Sequence, residues 1–208
     1  MILADDNPLK HIERPVVTIA LIAACVVVFV GQLADLVPIE GGAMVPRRLA
    51  AIWRSGVVNE QVVREGLTLV TAMFMHGDVL HLLGNMIYLW VFGDNVEDAL
   101  GHRRYLMFYL LTGITAGVTH IAVAPGSAVP TLGASGAISG VMGAYLVLYP
   151  RAMVYWRGAR VPAFLALGVW ILLQFVLAAV SPQAGIAWWA HIGGFGAGLV
   201  LGLVLRRR

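Results

Sequence analysis

Apolar residues in this chain fall into long runs broken by short polar turns, at about 16–33, 79–92, 105–123, 133–148, 161–180 and 186–205. No Asp, Glu, Lys or Arg occurs from Tyr105 to Pro150, or from Val161 to Leu205, and each of these stretches holds two helices of the ~20 residues that cross a bilayer. The pattern predicts an all-α membrane protein, a six-transmembrane-helix bundle forming one domain over 1–208 with 1–14 as a polar tail. GDNVEDALGHRR, after the second run, reads as a polar turn. Between the first two runs, over 36–67, Glu40, Arg47, Arg48, Arg54, Glu60, Arg64 and Glu65 interleave with Leu49, Ile52, Trp53, Val57, Val58, Val62 and Val63. That mixture predicts short amphipathic helices lying along the membrane interface, with Trp53 as an anchor. The fourth run is short: ~16 helical residues rise only ~24 Å. Its start therefore lies below the membrane surface, and the charge-free loop APGSAVPTL dips inward with it. Irregular backbone at that depth requires burial in protein or a water-filled cavity.

Composition agrees with the pattern. Hydrophobic residues make up 60% of the 208 residues, charged ones only 12%, and the mean hydropathy is +0.84, which excludes a soluble domain. The net charge of +3 calls for no nucleic-acid partner, because the basic residues sit beside membrane runs. Lys10, Arg14, Arg103, Arg104, Arg151, Arg157, Arg160, Arg206, Arg207 and Arg208 all fall on one side of a six-span topology, while the third and fifth loops carry no Lys or Arg. Both termini are accordingly expected in the cytoplasm, with Arg47, Arg48, Arg54 and Arg64 of the first loop as the exception. The expected location is a multi-pass protein of a bacterial plasma (inner) membrane. Cys25 is the single cysteine and forms no intramolecular disulfide. LIAAC looks faintly like a lipoprotein processing site, but the apolar run continues through VVVFV and acidic residues precede it, so an uncleaved first span is expected.

Candidate chemistry lies in TLGASGAISGVMG, residues 131–143, which sets Ser135 between small residues where the fourth helix begins. A hydroxyl there lies among backbone N–H groups without intrahelical partners and at the positive end of the helix dipole. That setting suits a nucleophile whose attack creates an oxyanion. The same glycines also fit a role without chemistry, since Gly136, Gly140 and then Gly143 have the spacing that lets membrane helices approach closely. In the sixth run His191, Gly194, Gly198 and Gly202 follow at three, four and four residues, so the histidine heads a glycine stripe on one face. Packing the two smooth faces brings Ser135 and His191 to a shared end, a nucleophile within reach of a general base. His81 and Asn85, four apart in the second run, share a face near that end. Both can donate to an oxyanion, and both can equally serve as interhelical hydrogen-bonding groups. Ser139 is the one rival nucleophile on the Ser135 face, a turn deeper and without free N–H donors. No HExxH or Cys cluster accompanies His76, His81, His120 and His191, so no metal is expected, and His120 reads as a packing residue.

HGDVLHLLGN, GASG and AHIGGFGAG, in that order on the second, fourth and sixth runs, together resemble the motifs of the rhomboid intramembrane serine proteases. The resemblance extends from Pro15 to the C-terminal end. It implies a rhomboid-like six-helix bundle with a long interfacial first loop, and a Ser135–His191 catalytic dyad without an aspartate. It further implies an oxyanion hole from the Ser135 N–H, His81 and Asn85, close-packing glycines at Gly194 and Gly198, and a structural acidic residue at Glu97. Asp78 is then a cap and not a third catalytic member. Two positions depart from the family pattern. Where some relatives carry Trp-Arg about nine residues before the histidine matching His76, this chain has Leu67-Thr68. Where some carry a tyrosine packed on the catalytic histidine, this chain has Ser139, which leaves the support of His191 unassigned. The implied activity is a serine endopeptidase without cofactor, cleaving transmembrane segments of membrane proteins near the extracytoplasmic face through an acyl-enzyme. Its partners are transmembrane protein substrates and the lipid bilayer. The fifth span and the loop SPQAG are candidates for a gate. An inactive relative that binds or escorts helices is the alternative, and the presence of both Ser135 and His191 argues against it. A transporter would want an intramembrane carboxylate for its coupling ions.

Overall fold

A computed structural model describes residues 3–56, 59–156, 158–181 and 185–206. Arg157, Arg207 and Arg208 of the charge asymmetry, Val57 and Val58 of the first loop, and Pro182, Gln183 and Ala184 of SPQAG lie outside the described residues. In chain order the elements are strand β1 (Leu3–Asp5), helix α1 (Val16–Leu33) and three short helices, α2 (Ile39–Gly42), α3 (Pro46–Ser55) and α4 (Glu60–Thr71). A single 3-10 turn (Ala72–Phe74) leads to α5 (Val79–Leu100), α6 (His102–Val123) and α7 (Ser135–Leu148). Strands β2 (Met153–Trp156) and β3 (Ala159–Pro162), then α8 (Ala163–Val180) and α9 (Trp188–Leu205), complete the order. Helices α1, α6, α8 and α9 are each long and apolar enough to cross a membrane. Helix α5 qualifies only together with α4 and the 3-10 turn, from which it bends by 79°, and α7 is apolar but has 14 residues.

The second apolar run does not end near Phe92, and GDNVEDALGHRR is not a turn. Helix α5 continues to Leu100 and α6 starts at His102, with Gly101 (φ +80°) alone between them. The acidic residues are tolerated inside this long helix because distant backbone satisfies them. Glu97, fully buried, accepts the N–H groups of Val17 and Thr18 and the Thr18 hydroxyl at 2.7–2.9 Å. These are donors that the first turn of α1 leaves without intrahelical partners. One helix thereby caps another through a side chain far away in sequence. Asp98 accepts the N–H groups of Lys10, His11 and Ile12 at 2.6–3.0 Å and so ties down the N-terminal segment.

That segment is not a free polar tail. Strand β1 pairs antiparallel with β2, Asp5 opposite Val154, and β2 pairs antiparallel with β3, making a small three-stranded sheet that the apolar periodicity does not reveal. Asp5 accepts the Tyr145 hydroxyl at 2.5 Å and the Asn95 amide at 3.0 Å, and burial pushes its carboxyl up against the lowering effect of the Tyr145 bond. The Met153 N–H and the Arg160 guanidinium hold the exposed Asp6 carboxyl below the usual range. The sheet and these acids gather at the C-terminal ends of α5 and α7.

Helix α7 is the axis of the bundle, with every residue from Gly136 to Tyr145 buried. It lies between α6 and α9. Against α9 the contact is backbone to backbone: a methyl group on Gly198 would strike the Gly140 carbonyl oxygen, and one on Gly194 would strike that of Gly136. On the α6 side Gly140 faces Thr112 and Gly136 faces Ala116. The loop ahead of α7 is fastened from below. Met44 and Thr131 exchange two backbone hydrogen bonds at 2.7 and 3.0 Å, Arg47 N–H donates to Ser127, and Gly133 N–H donates to Ala72 of the 3-10 turn at 2.9 Å. Its irregular backbone is thus paired with protein, as burial requires.

Close packing of this kind is testable with one methyl group. Gly198→Ala is expected to lower the melting temperature in detergent, overpacking costing about 1–3 kcal/mol. Gly196→Ala, where a methyl group meets nothing within 4 Å, is expected to melt like the wild type. Equal melting of all three proteins would show that α7 and α9 do not meet at Gly198.

Candidate active site

Ser135 is the first residue of α7, and its surroundings follow from the two residues before it. Gly133 has φ +121°, a conformation that favours glycine. A methyl group there would lie 2.7 Å from His81 Nε2 and 3.8 Å from Ser135 Oγ, so the missing side chain lets the loop run beneath the imidazole. Ala134 is the N-cap, and Ile138 N–H closes onto its carbonyl at 2.9 Å. The N–H groups earlier in that first turn have no partner within the helix. They surround the Ser135 hydroxyl at the positive end of the α7 dipole.

His191 enters from the first turn of α9, one turn above Gly194. Its Nε2 lies 2.8 Å from Ser135 Oγ and its Nδ1 lies 2.8 Å from Oε1 of Gln174 on α8. The Gln174 amide nitrogen faces the Trp170 carbonyl at 3.4 Å, which leaves its oxygen for the imidazole. An amide oxygen only accepts, so Nδ1 carries the ring hydrogen and Nε2 presents its lone pair to the serine hydroxyl. The rings of Trp170 and Trp188 stand 6.1 and 6.2 Å from the imidazole and wall it in. Ser139 is arranged differently. It is buried, and its hydroxyl donates to the Ser135 carbonyl at 2.6 Å, so its hydrogen is already committed one turn below the imidazole.

His81 and Asn85 face the same cleft, a space of about 1130 Å³ that also takes in Ser135, His191 and Gln174. The Asn85 amide donates to the His81 carbonyl at 3.0 Å, one turn back on α5, which uses one of its two hydrogens and leaves the other free. The Asp78 carboxylate accepts the His81 N–H at 2.8 Å and so caps α5. His76 is buried, its ring 5.2 Å from that of His81, and its backbone is held on both sides by the Gln32 amide at 3.0 and 3.1 Å. Among the described residues no three His, Cys, Asp or Glu side chains are grouped to hold a metal ion.

The structure therefore brings Ser135, His191, His81 and Asn85 into one cleft, with Gly136 and Gly140 against Gly194 and Gly198 beneath it. Three contributors escape the sequence reading. Gln174 is the most consequential, and the signal was present: in AFLALGVWILLQFVLAAV it is the one amide in an apolar helix. Gly133 opens the GASG motif but its own role depends on a backbone angle, and Gln32 carries no signal because its partner lies 44 positions away.

Residues 60–208, well over half of the chain, match the family model for the Rhomboid domain. The chain belongs to the rhomboid family. It is 30% identical over 194 residues to "Rhomboid protease GluP" of Bacillus subtilis (strain 168), covering 91% of this chain and 36% of that protein. It is 32% identical over 144 residues to "RHOMBOID-like protein 12, mitochondrial" of Arabidopsis thaliana, covering 61% of this rhomboid and 43% of the relative. With "Rhomboid protein 1, mitochondrial" of Saccharomyces cerevisiae the identity is 26% over 159 residues, 70% of this chain and 44% of the other. The chain thus spans less than half the length of these relatives. Family and apolar helices together make this rhomboid an integral membrane protein. The relatives' names point to mitochondria and chloroplasts as well as to a bacterium, so they lend no support to the expected bacterial plasma membrane.

Asn85 supplies the test of this geometry. If its free amide hydrogen meets an oxyanion, Asn85→Ala reduces turnover by roughly tenfold, less than the 10²–10³ that loss of one donor can cost, because His81 and the Ser135 N–H remain. Substrate binding stays near normal, since the bond strengthens only in the transition state. A destabilised protein with an unchanged single-turnover rate would mark Asn85 as an interhelical strut.

Proposed function

We propose that this rhomboid is an intramembrane serine endopeptidase that cleaves transmembrane segments of membrane proteins with a Ser135–His191 dyad. The observation that carries the reading is the 2.8 Å contact between His191 Nε2 and Ser135 Oγ, at a helix N-terminus inside a cleft. The Oγ proton passes to Nε2 as Oγ attacks the carbonyl carbon of the scissile peptide bond. The negative charge that develops on the carbonyl oxygen is met by the Ser135 N–H, His81 and Asn85. Collapse breaks the C–N bond, and the leaving amine takes the proton from His191. Water, deprotonated by the same Nε2, then opens the acyl ester, releases the carboxylate product and restores the serine.

The bundle is read as six spans, with α5 as the second and short α7 as the fourth, and with both termini on the cytoplasmic side. Support comes from the end of the bundle opposite Ser135, where Arg151 and Arg160 flank or lie in the small sheet and Lys10 lies against Asp98. Arg103 and Arg104 open α6 at that end, Arg104 donating to the Leu205 carbonyl at the end of α9. Cleavage then falls near the extracytoplasmic face. A helical substrate hides its carbonyls in hydrogen bonds, so sites with small or helix-breaking residues are favoured. The named activity of the Bacillus subtilis relative is in keeping with this reading.

Cleavage of a transmembrane substrate in proteoliposomes tests it. Ser135→Ala is expected to lose at least ~10³-fold in turnover, as nucleophile removal does in serine proteases. Ser139→Ala is expected to keep most of the wild-type rate. A Ser135→Ala protein that cleaves as fast as the wild type would refute the assignment.

A further inference from the structure

We propose that Gln174 is the positioning residue for His191, its side-chain carbonyl accepting the Nδ1 hydrogen so that the Nε2 lone pair is held toward Ser135. The proposal rests on the dyad reading above and completes it with a neutral amide where a catalytic triad has a carboxylate. Gln174 is 5% exposed, in the middle of a helix whose other side chains are apolar apart from the Trp170 indole. An amide in that setting is costly unless both of its ends are bonded. Both ends are engaged here. The oxygen is 2.8 Å from His191 Nδ1 and the nitrogen is 3.4 Å from the Trp170 carbonyl one turn back, so the helix itself fixes which end faces the imidazole.

The remaining surroundings of His191 leave this task to Gln174. Phe195, one turn further along α9, packs its ring against Trp170, tilted by 30° with the ring centres 6.1 Å apart, and so joins α8 to α9 at this level. The titratable groups facing His191 are His81 from α5 and His120 from α6, while α7 and α8 contribute Ser135 and Gln174. Neither of those two changes charge near neutral pH, and no carboxylate is among the hydrogen-bond partners of His191 among the described residues. Without an acceptor at Nδ1 the ring would be free to carry its hydrogen on Nε2, the tautomer that cannot receive the serine proton. Ser139, at the position where some relatives carry a supporting tyrosine, is turned away and bonded to the Ser135 carbonyl. Support for the imidazole thus comes from α8, a different helix from the one that carries the nucleophile.

The experiment compares Gln174→Met, which keeps the volume and exchanges the amide oxygen for a thioether that accepts only weakly, with Gln174→Glu, which restores a strong acceptor at the same place. In the Met variant kcat is expected to fall by roughly 10- to 1,000-fold with KM unchanged, less than the ~10⁴ that follows a wrong tautomer in a triad. In the Glu variant most of that loss is recovered. The acidic limb of its pH–rate profile moves to higher pH, because a carboxylate at Nδ1 favours the imidazolium that cannot act as base. A role confined to packing would alter the melting temperature of both variants and leave kcat and the pH profile alone. Wild-type kcat in the Met variant, or equal loss in both variants, overturns the proposal. If the Met variant does not fold, an acidic limb unmoved in the Glu variant overturns it by itself. His191→Ala separates the two levels: normal cleavage there would take down the dyad, whereas an inactive His191→Ala beside a fully active Gln174→Met takes down only the role of Gln174.

Discussion

The contact between α7 and α9 is backbone against backbone, and the site depends on it. In a bilayer the lipid is as apolar as the helices, so association rests on close van der Waals packing and on hydrogen bonds rather than on hydrophobic burial. Gly194 and Gly198 provide that packing by letting α9 lie on the carbonyl oxygens of Gly136 and Gly140. Ser135 immediately precedes Gly136 and His191 lies one turn ahead of Gly194, so the 2.8 Å between Oγ and Nε2 is a geometric consequence of the glycine register. A side chain at Gly198 would meet the Gly140 carbonyl oxygen, so α7 and α9 could keep this register only by moving apart.

The two ends of the bundle solve different problems. At the Ser135 end, donors and a lone pair converge on an open cleft at the start of the 14-residue α7. At the other end buried carboxylates are consumed by structure. Glu97 caps α1, Asp98 binds the N-terminal segment, and Asp5 joins Tyr145 to Asn95. Charge-assisted bonds to backbone N–H groups are strong, and these lock α1, α5 and the small sheet into one assembly.

How much of this was legible in the sequence depended on the range of the forces involved. The apolar runs located the long helices, and the glycine stripes located the faces of α7 and α9 that meet, since both are properties of local periodicity. The clustering of Ser135, His191, His81 and Asn85 followed from their positions at corresponding helix ends. The extension of α5 through Glu97 and Asp98 was not legible, because what makes these buried acids acceptable is backbone 79 to 88 positions away. Strand β1 was missed for the same reason, since its partner β2 is distant in sequence, Ala4 pairing with Tyr155. Gln174 stood out as a lone amide in an apolar helix, and only the fold shows that it faces His191.

Peptide mapping by mass spectrometry, after the wild-type protein has reacted with a serine-directed phosphonate, tests the central claim most directly. The expected result is a single adduct on Ser135 that disappears when His191 is replaced by alanine. An adduct on Ser139, or substrate cleavage by a protein that forms no adduct in α7, would contradict a Ser135–His191 dyad.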